Sequence, residues 1–143
     1  MNELSEILDE KGHDVLRIDA QDSVFDAVRR MVEANVGALL VMESGSIAGI
    51  VTERDYLRRV TLEGRTDRET PVGEIMTSPL VVATPETTID ECMALMTDRR
   101  IRHVPVVADG DVVGIVSIGD LVKFKSKQQS FEIQYLTDYI TAG

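Results

Sequence analysis

"GIVTERDYL", residues Gly49–Leu57, runs an apolar-compatible strand into Thr-x-x-Asp and then a fresh apolar pair; "GIVSIGDLV", residues Gly114–Val122, repeats the arrangement. These stretches belong to a longer repeat. At an offset of 65 residues, Val15–Val60 lies on Leu80–Lys125 without a gap. Met31 then meets Met96, Val41 meets Val106, Gly45 meets Gly110 and Asp55 meets Asp120. Identities are few, but the apolar pattern holds throughout. A fixed period of this size indicates one supersecondary unit used twice.

Each unit reads as strand, helix, strand, strand, helix. In the first, Val15–Ile18 is a short strand. Ser23-x-x-Asp26 opens a helix whose Val24, Ala27, Val28, Met31 and Val32 fall at helical spacing. Gly37–Met42 and Ile47–Val51 are strands around a turn at Glu43–Ser46, and a helix follows Thr52 with Tyr56, Leu57 and Val60. The second unit copies this order. Thr88-x-x-Glu91 has the capping-box pattern, Ile89, Cys92, Met93 and Met96 make the helical stripe, and Asp109-Gly110 signals a tight hairpin. The expected fold is mixed α/β: a first unit over residues 4–62, a polar linker Leu62–Pro71, a second unit over 72–126 and a C-terminal helix over 128–143. A unit of about 60 residues buries too little to be comfortable alone, so one core shared by the two is expected.

Composition narrows the function. The chain has 143 residues, a net charge of −10, one cysteine and two histidines. That charge opposes generic binding to nucleic acid or an anionic membrane. A single cysteine allows no internal disulfide and no cysteine metal cluster. No apolar run approaches the ~20 residues that span a bilayer. The acidic start lacks a signal-peptide pattern, so cytoplasmic residence is expected. Against the overall charge, Arg99, Arg100 and Arg102 cluster beside His103, a basic patch suited to a small anion.

The β-α-β-β-α order resembles a tandem pair of CBS domains (a Bateman module). So do "EIMTSP" at Glu74–Pro79, "RRIRHVPVV" at Arg99–Val107, and the endings "GIVTERD" and "GIVSIGD". The resemblance covers roughly Leu4–Lys125. It implies two units with pseudo-two-fold symmetry that bind adenosine-containing ligands in clefts mixing both units. It also implies that the aspartate of each Thr/Ser-x-x-Asp holds ribose hydroxyls, with the Thr or Ser touching phosphate or ribose. The implied residues of the Asp120 site are Asp120, Ser117, Ile115, Arg102, Leu16, Val36, Gly37 and Ala38. Those of the Asp55 site are Asp55, Thr52, Ile50, Thr77, Leu80, Ile101 and His103; Arg54, which stands where the second unit has Gly119, departs from the pattern and is expected either to add a phosphate contact there or to narrow the site.

Chemistry supports the assignment independently. A carboxylate accepts two hydroxyl donors, a vicinal diol offers two, and charge-assisted hydrogen bonds are the stronger kind. The motif sits where strand gives way to helix, and free backbone N–H groups there favour a phosphate. Arg102 matches Gly37 of the first unit, so the two sites are not equivalent, and the Asp120 site is expected to be the better anion site.

Bland roles stand beside these. Thr52-x-x-Asp55 and Ser117-x-x-Asp120 are also helix-capping patterns. Arg99 and Arg100 suit a solvated helix end. His103 divides between ligand contact and structure, and His13 reads as a surface residue. Cys92, Met31, Met93 and Met96 read as core. Phe131, Tyr135 and Tyr139 fall at i, i+4, i+8, so the C-terminal helix is expected to pack on its own module or to form a homodimer seam.

The leading expectation is a regulatory module, not an enzyme, that senses AMP, ADP, ATP or a dinucleotide such as NAD and passes its signal to a separate protein. No catalytic residues, metal or catalytic cofactor are expected. The alternative is a structural dimerisation scaffold with no ligand.

Overall fold

The computed structural model describes residues 2–128. The C-terminal helix expected over 128–143, with its aromatic residues, lies outside the described residues beyond Gln128. The described residues form two compact units: Val15–Val81, and a second made of residues 2–14 with residues 82–128.

Within Val15–Val81, β1 (Arg17–Asp19), α2 (Val24–Ala34), β2 (Ala38–Glu43), β3 (Ser46–Thr52) and α3 (Glu53–Tyr56) follow in order, after helix α1 (Leu4–Lys11) of the other unit. The sheet order is β1-β2-β3, with β1 parallel to β2 and β2 antiparallel to β3. A π-helix over Leu57–Thr61 continues α3, on the stretch where the sequence reading places a helix with Tyr56, Leu57 and Val60. Only Val60 of that helix is buried, and Leu57 stays 57% exposed.

In the other unit α4 (Ile89–Arg99), β4 (His103–Ala108), β5 (Asp111–Ser117) and α5 (Ile118–Gln128) repeat these elements at the 65-residue offset. The copying reaches backbone detail. Asn35 and Arg100 both close their helices in the left-handed region, at φ 55° and 56°. The hairpin turns Ser44-Gly45 and Asp109-Gly110 both take positive φ at both residues, the geometry whose twist matches two antiparallel strands.

Two departures from the sequence reading have clear causes. The strand expected at the start of the second repeat is reduced to one parallel bridge, Ala83 with Val106. In the first repeat Leu40 N–H donates to the Leu16 carbonyl at 3.0 Å. The matched residue in β4 is Pro105, which has no N–H to give, so the ladder keeps only Ala83 N–H to Pro105 O and Val107 N–H to Ala83 O. Val32, assigned to the buried stripe of α2, is 74% exposed. The stripe that faces the core is Val24, Ala27 and Met31, with Val28 partly buried against it.

The buried side chains form two clusters, one within each unit, where one shared core was expected. Leader segments make this possible. In Val15–Val81 the buried Val72 and Ile75, just after the linker, close a core with Ile18, Val24, Ala27, Leu39 and Val51. In the other unit Leu4, Ile7 and Leu8 of α1 close a core with Ile89, Cys92, Met96, Val104, Val116 and Leu121. Each repeat is therefore completed by the segment that precedes the other repeat. The division by sequence at residues 4–62 and 72–126 follows the duplication; the division in space does not.

Candidate functional site

In Val15–Val81 the Thr52-x-x-Asp55 motif forms a full capping box at the start of α3. Asp55 N–H donates to Thr52 Oγ1 at 3.2 Å. In return Asp55 Oδ2 accepts from Thr52 N–H at 3.0 Å and from Thr52 Oγ1 at 3.2 Å. The other oxygen, Oδ1, accepts from Thr77 Oγ1 at 3.0 Å. Thr77 is held there by a reciprocal pair of backbone bonds with Ile50, of 3.0 and 2.8 Å. Asp55 is 8% exposed. Both of its oxygens are thus engaged by protein donors.

Gly49 makes this junction possible. A Cβ at that position would stand 2.6 Å from the Thr77 carbonyl oxygen, so only glycine lets the Met76–Thr77 backbone approach β3 so closely. Arg59 adds a second clamp, donating to the Ile75 and Met76 carbonyls at 3.1 and 3.0 Å.

In the other unit Ser117-x-x-Asp120 makes the same reciprocal cap. Asp120 N–H donates to Ser117 Oγ at 3.1 Å, and Ser117 N–H donates to Asp120 Oδ2 at 2.8 Å. The remaining partner is different. Lys11, at the end of α1, donates from Nζ to Asp120 Oδ2 at 2.6 Å and to the Ile115 carbonyl at 2.7 Å. Asp120 Oδ1 has no hydrogen-bond partner among the described residues, and the side chain is 24% exposed. Exposure and a free oxygen make Asp120 the more available carboxylate.

Charge around Asp120 is set by its neighbours. His103 lies opposite Ser117 in the β4–β5 register. Burial pushes its pKa below the ordinary value of 6.5, and the positive charges of Lys11 and Arg102 push the same way against Asp120, so it is neutral at pH 7. Arg102 is exposed, and its backbone carbonyl accepts from Ile118 N–H at 2.9 Å. The matched Gly37 carbonyl accepts from Glu53 N–H at 3.1 Å. These bonds correct one expectation. At the start of each motif helix, the first and third amides already have protein acceptors, so the helix start is not the open cradle of N–H groups that phosphate binding would use.

The residues expected for each site divide between the units. Leu16, Val36, Gly37, Ala38, Ile50, Thr52, Arg54, Asp55, Thr77 and Leu80 belong to Val15–Val81; Ile101, Arg102, His103, Ile115, Ser117 and Asp120 belong to the other. In the first unit the structure brings Asp55, Thr52, Ile50 and Thr77 together, with Ala38 opposite Thr52 in register. Leu16 and Val36 are exposed at 40% and 36%, and Arg54 is exposed on the first turn of α3. In the second it brings Asp120, Ser117, Ile115 and His103 together. Lys11 is the residue that sequence reading missed. Extending the offset upstream of Val15 puts Lys11 on Met76, beside Thr77, and marks it as a leader residue next to a motif aspartate.

Cys92 is fully buried and its thiol is pushed up to about 11 by that burial, which makes it a core residue. Among the described residues no group of three or more His, Cys, Asp and Glu side chains could hold a metal, and no helix is long and apolar enough to cross a membrane.

A family model of the CBS domain matches residues 5–62 and 72–127. Over 149 aligned residues the chain is 44% identical to the CBS domain-containing protein CBSX3, mitochondrial, of Arabidopsis thaliana, covering 98% of this chain and 72% of that protein. A solved structure from Burkholderia ambifaria MC40-6, of a protein with CBS domains provisionally ascribed to signal transduction, superposes with a TM-score of 0.86 at 44% identity. The match covers 91% of this chain and 98% of that one. The hexameric CBS-CP12 protein of bloom-forming cyanobacteria matches with a TM-score of 0.77 at 31% identity, covering 90% of this chain and 75% of that one. The paired repeats, their strand and helix order and the two capped aspartates thus have one common explanation: this chain belongs to the CBS-domain family and carries two CBS domains.

Proposed function

We propose that this chain is a regulatory module that binds an adenine nucleotide at Asp120 and conveys occupancy to a separate protein. The observation that carries the reading is the state of the Asp120 carboxylate: partly exposed, with Oδ1 free of partners among the described residues, Lys11 bound to Oδ2, and Arg102 next to His103, which lies opposite Ser117. A vicinal diol needs such an acceptor, and a phosphate needs the cations. AMP suits this arrangement, and ADP, ATP and NAD share its diol and phosphate. The signalling role ascribed to the Burkholderia relative and the hexamer of the cyanobacterial relative support a regulatory protein that self-associates, for which a homodimer is the simplest form. Residence in the cytoplasm and action without catalysis of its own belong to the same reading.

The engaged state of Asp55 favours a second reading for that motif. With both oxygens bound inside the protein, Asp55 works as a structural cap, and a module with two such caps would be a ligand-free dimerisation scaffold. Mass spectrometry of small molecules released from the purified protein, followed by calorimetry with AMP, separates the two. An adenine nucleotide whose binding is lost in Asp120→Ala supports the sensor. No released nucleotide and no heat with any adenine compound support the scaffold.

A further inference from the structure

Lys11 occupies one oxygen of the carboxylate that the nucleotide reading assigns to the ligand. Its ammonium donates at once to Asp120 Oδ2, one oxygen of the proposed ribose-binding carboxylate, and to the carbonyl of Ile115, another residue of the same expected site. The side chain is 39% exposed, so the pair is one that solvent weakens. Lys11 and Asp120 open into a pocket of about 220 Å³ that also presents Lys123 and Lys127. Lys127 is paired with Glu10 at 3.2 Å.

We propose that Lys11 determines the specificity of the Asp120 site by selecting phosphorylated over unphosphorylated adenosine. The inference rests on Asp120 being the nucleotide-binding carboxylate. A nucleoside whose diol takes both carboxylate oxygens must displace the ammonium from Asp120 and Ile115 and returns no anion to it. A nucleotide displaces the same ammonium but brings a phosphate, and the four-carbon stem of a lysine lets the charge turn to it without moving α1. Lys123, in the same pocket, strengthens the preference for an anion. The lysine thus acts as a tethered competitor against the first class of ligand and as a partner for the second.

Calorimetry with adenosine and with AMP on the full chain tests this, using Lys11→Met, which keeps the apolar stem, and Lys11→Arg, which keeps the charge. Lys11→Met should raise adenosine affinity several-fold and cut the preference for AMP over adenosine by about tenfold, the change that about 1.4 kcal/mol gives. Lys11→Arg should retain most of the preference. Melting curves without ligand check that each variant folds, and Lys11→Gln serves as a second neutral variant. If wild-type AMP binding depends on Asp120 but the preference in Lys11→Met stays within twofold of wild type, the role of Lys11 is refuted and the nucleotide reading stands. If neither the wild type nor any variant binds AMP or adenosine, the nucleotide reading fails and the role of Lys11 falls with it.

Discussion

Removing each motif carboxylate in turn should separate the two aspartates by stability. Asp55 is 8% exposed, and its oxygens accept from Thr52 N–H, Thr52 Oγ1 and Thr77 Oγ1. Asp55→Ala removes the return half of the Thr52 capping box, a hydrogen bond worth about 1 kcal/mol. It also leaves the Thr77 hydroxyl without its acceptor, and hydrogen bonds to a charged group contribute about 1.5–3 kcal/mol each. These bonds share one carboxylate and do not add in full, so a total loss of about 3 kcal/mol is expected. Asp120→Ala removes an equivalent bond, but its further partner is Lys11 in a pair that is 39% and 24% exposed. Pairs of that exposure are worth about 0–1 kcal/mol, which gives a loss of about 1–2 kcal/mol. At about 3–4 °C per kcal/mol for a chain of this size, Asp55→Ala should melt roughly 10 °C lower and Asp120→Ala about half of that. Urea unfolding with an unchanged m-value measures both losses. An Asp120→Ala variant as unstable as Asp55→Ala would refute the idea that Asp55 is bound up in structure while Asp120 is free for a ligand.

Three further outcomes follow from local geometry. His103 has a pKa held below 6.5 in the folded chain by burial, by Lys11 and by Arg102, with Asp120 opposing; the unfolded chain therefore binds the extra proton as pH falls below about 6.5 and stability drops there. His103→Gln should flatten that part of the stability–pH curve, and a curve as steep as the wild type's would refute the assignment. Cys92, with a pKa of about 11 against 9.0 unperturbed, should react with an aromatic disulfide at pH 8 at least about 100-fold more slowly than in urea-unfolded protein; equal rates would show the thiol to be accessible. Gly49→Ala forces a Cβ to within 2.6 Å of the Thr77 carbonyl and should cost about 1–3 kcal/mol. Gly114→Ala meets the movable Leu8 side chain instead and should cost less, with urea midpoints giving the order.

By itself the sequence determined what is local and what is repeated. The 65-residue offset, the capping boxes, the Asp109-Gly110 turn and the placing of Thr52, Asp55, Ser117 and Asp120 at strand-to-helix junctions all follow from short-range rules. Each depends on hydrogen bonds and side-chain spacing within a few residues. Even the missing strand in the second repeat is written in Pro105, through its absent N–H. Tertiary structure alone decided which segment completes which repeat. The α1 helix packs with the second repeat, and the Val72–Thr77 stretch packs with the first. Apolar periodicity states that Leu4, Ile7 and Leu8 must be buried but not against what, because any complementary apolar surface gives the same transfer free energy. That exchange places a threonine on Asp55 and a lysine on Asp120. Two motifs nearly alike in sequence thereby become one carboxylate closed by structure and one held by a displaceable charge.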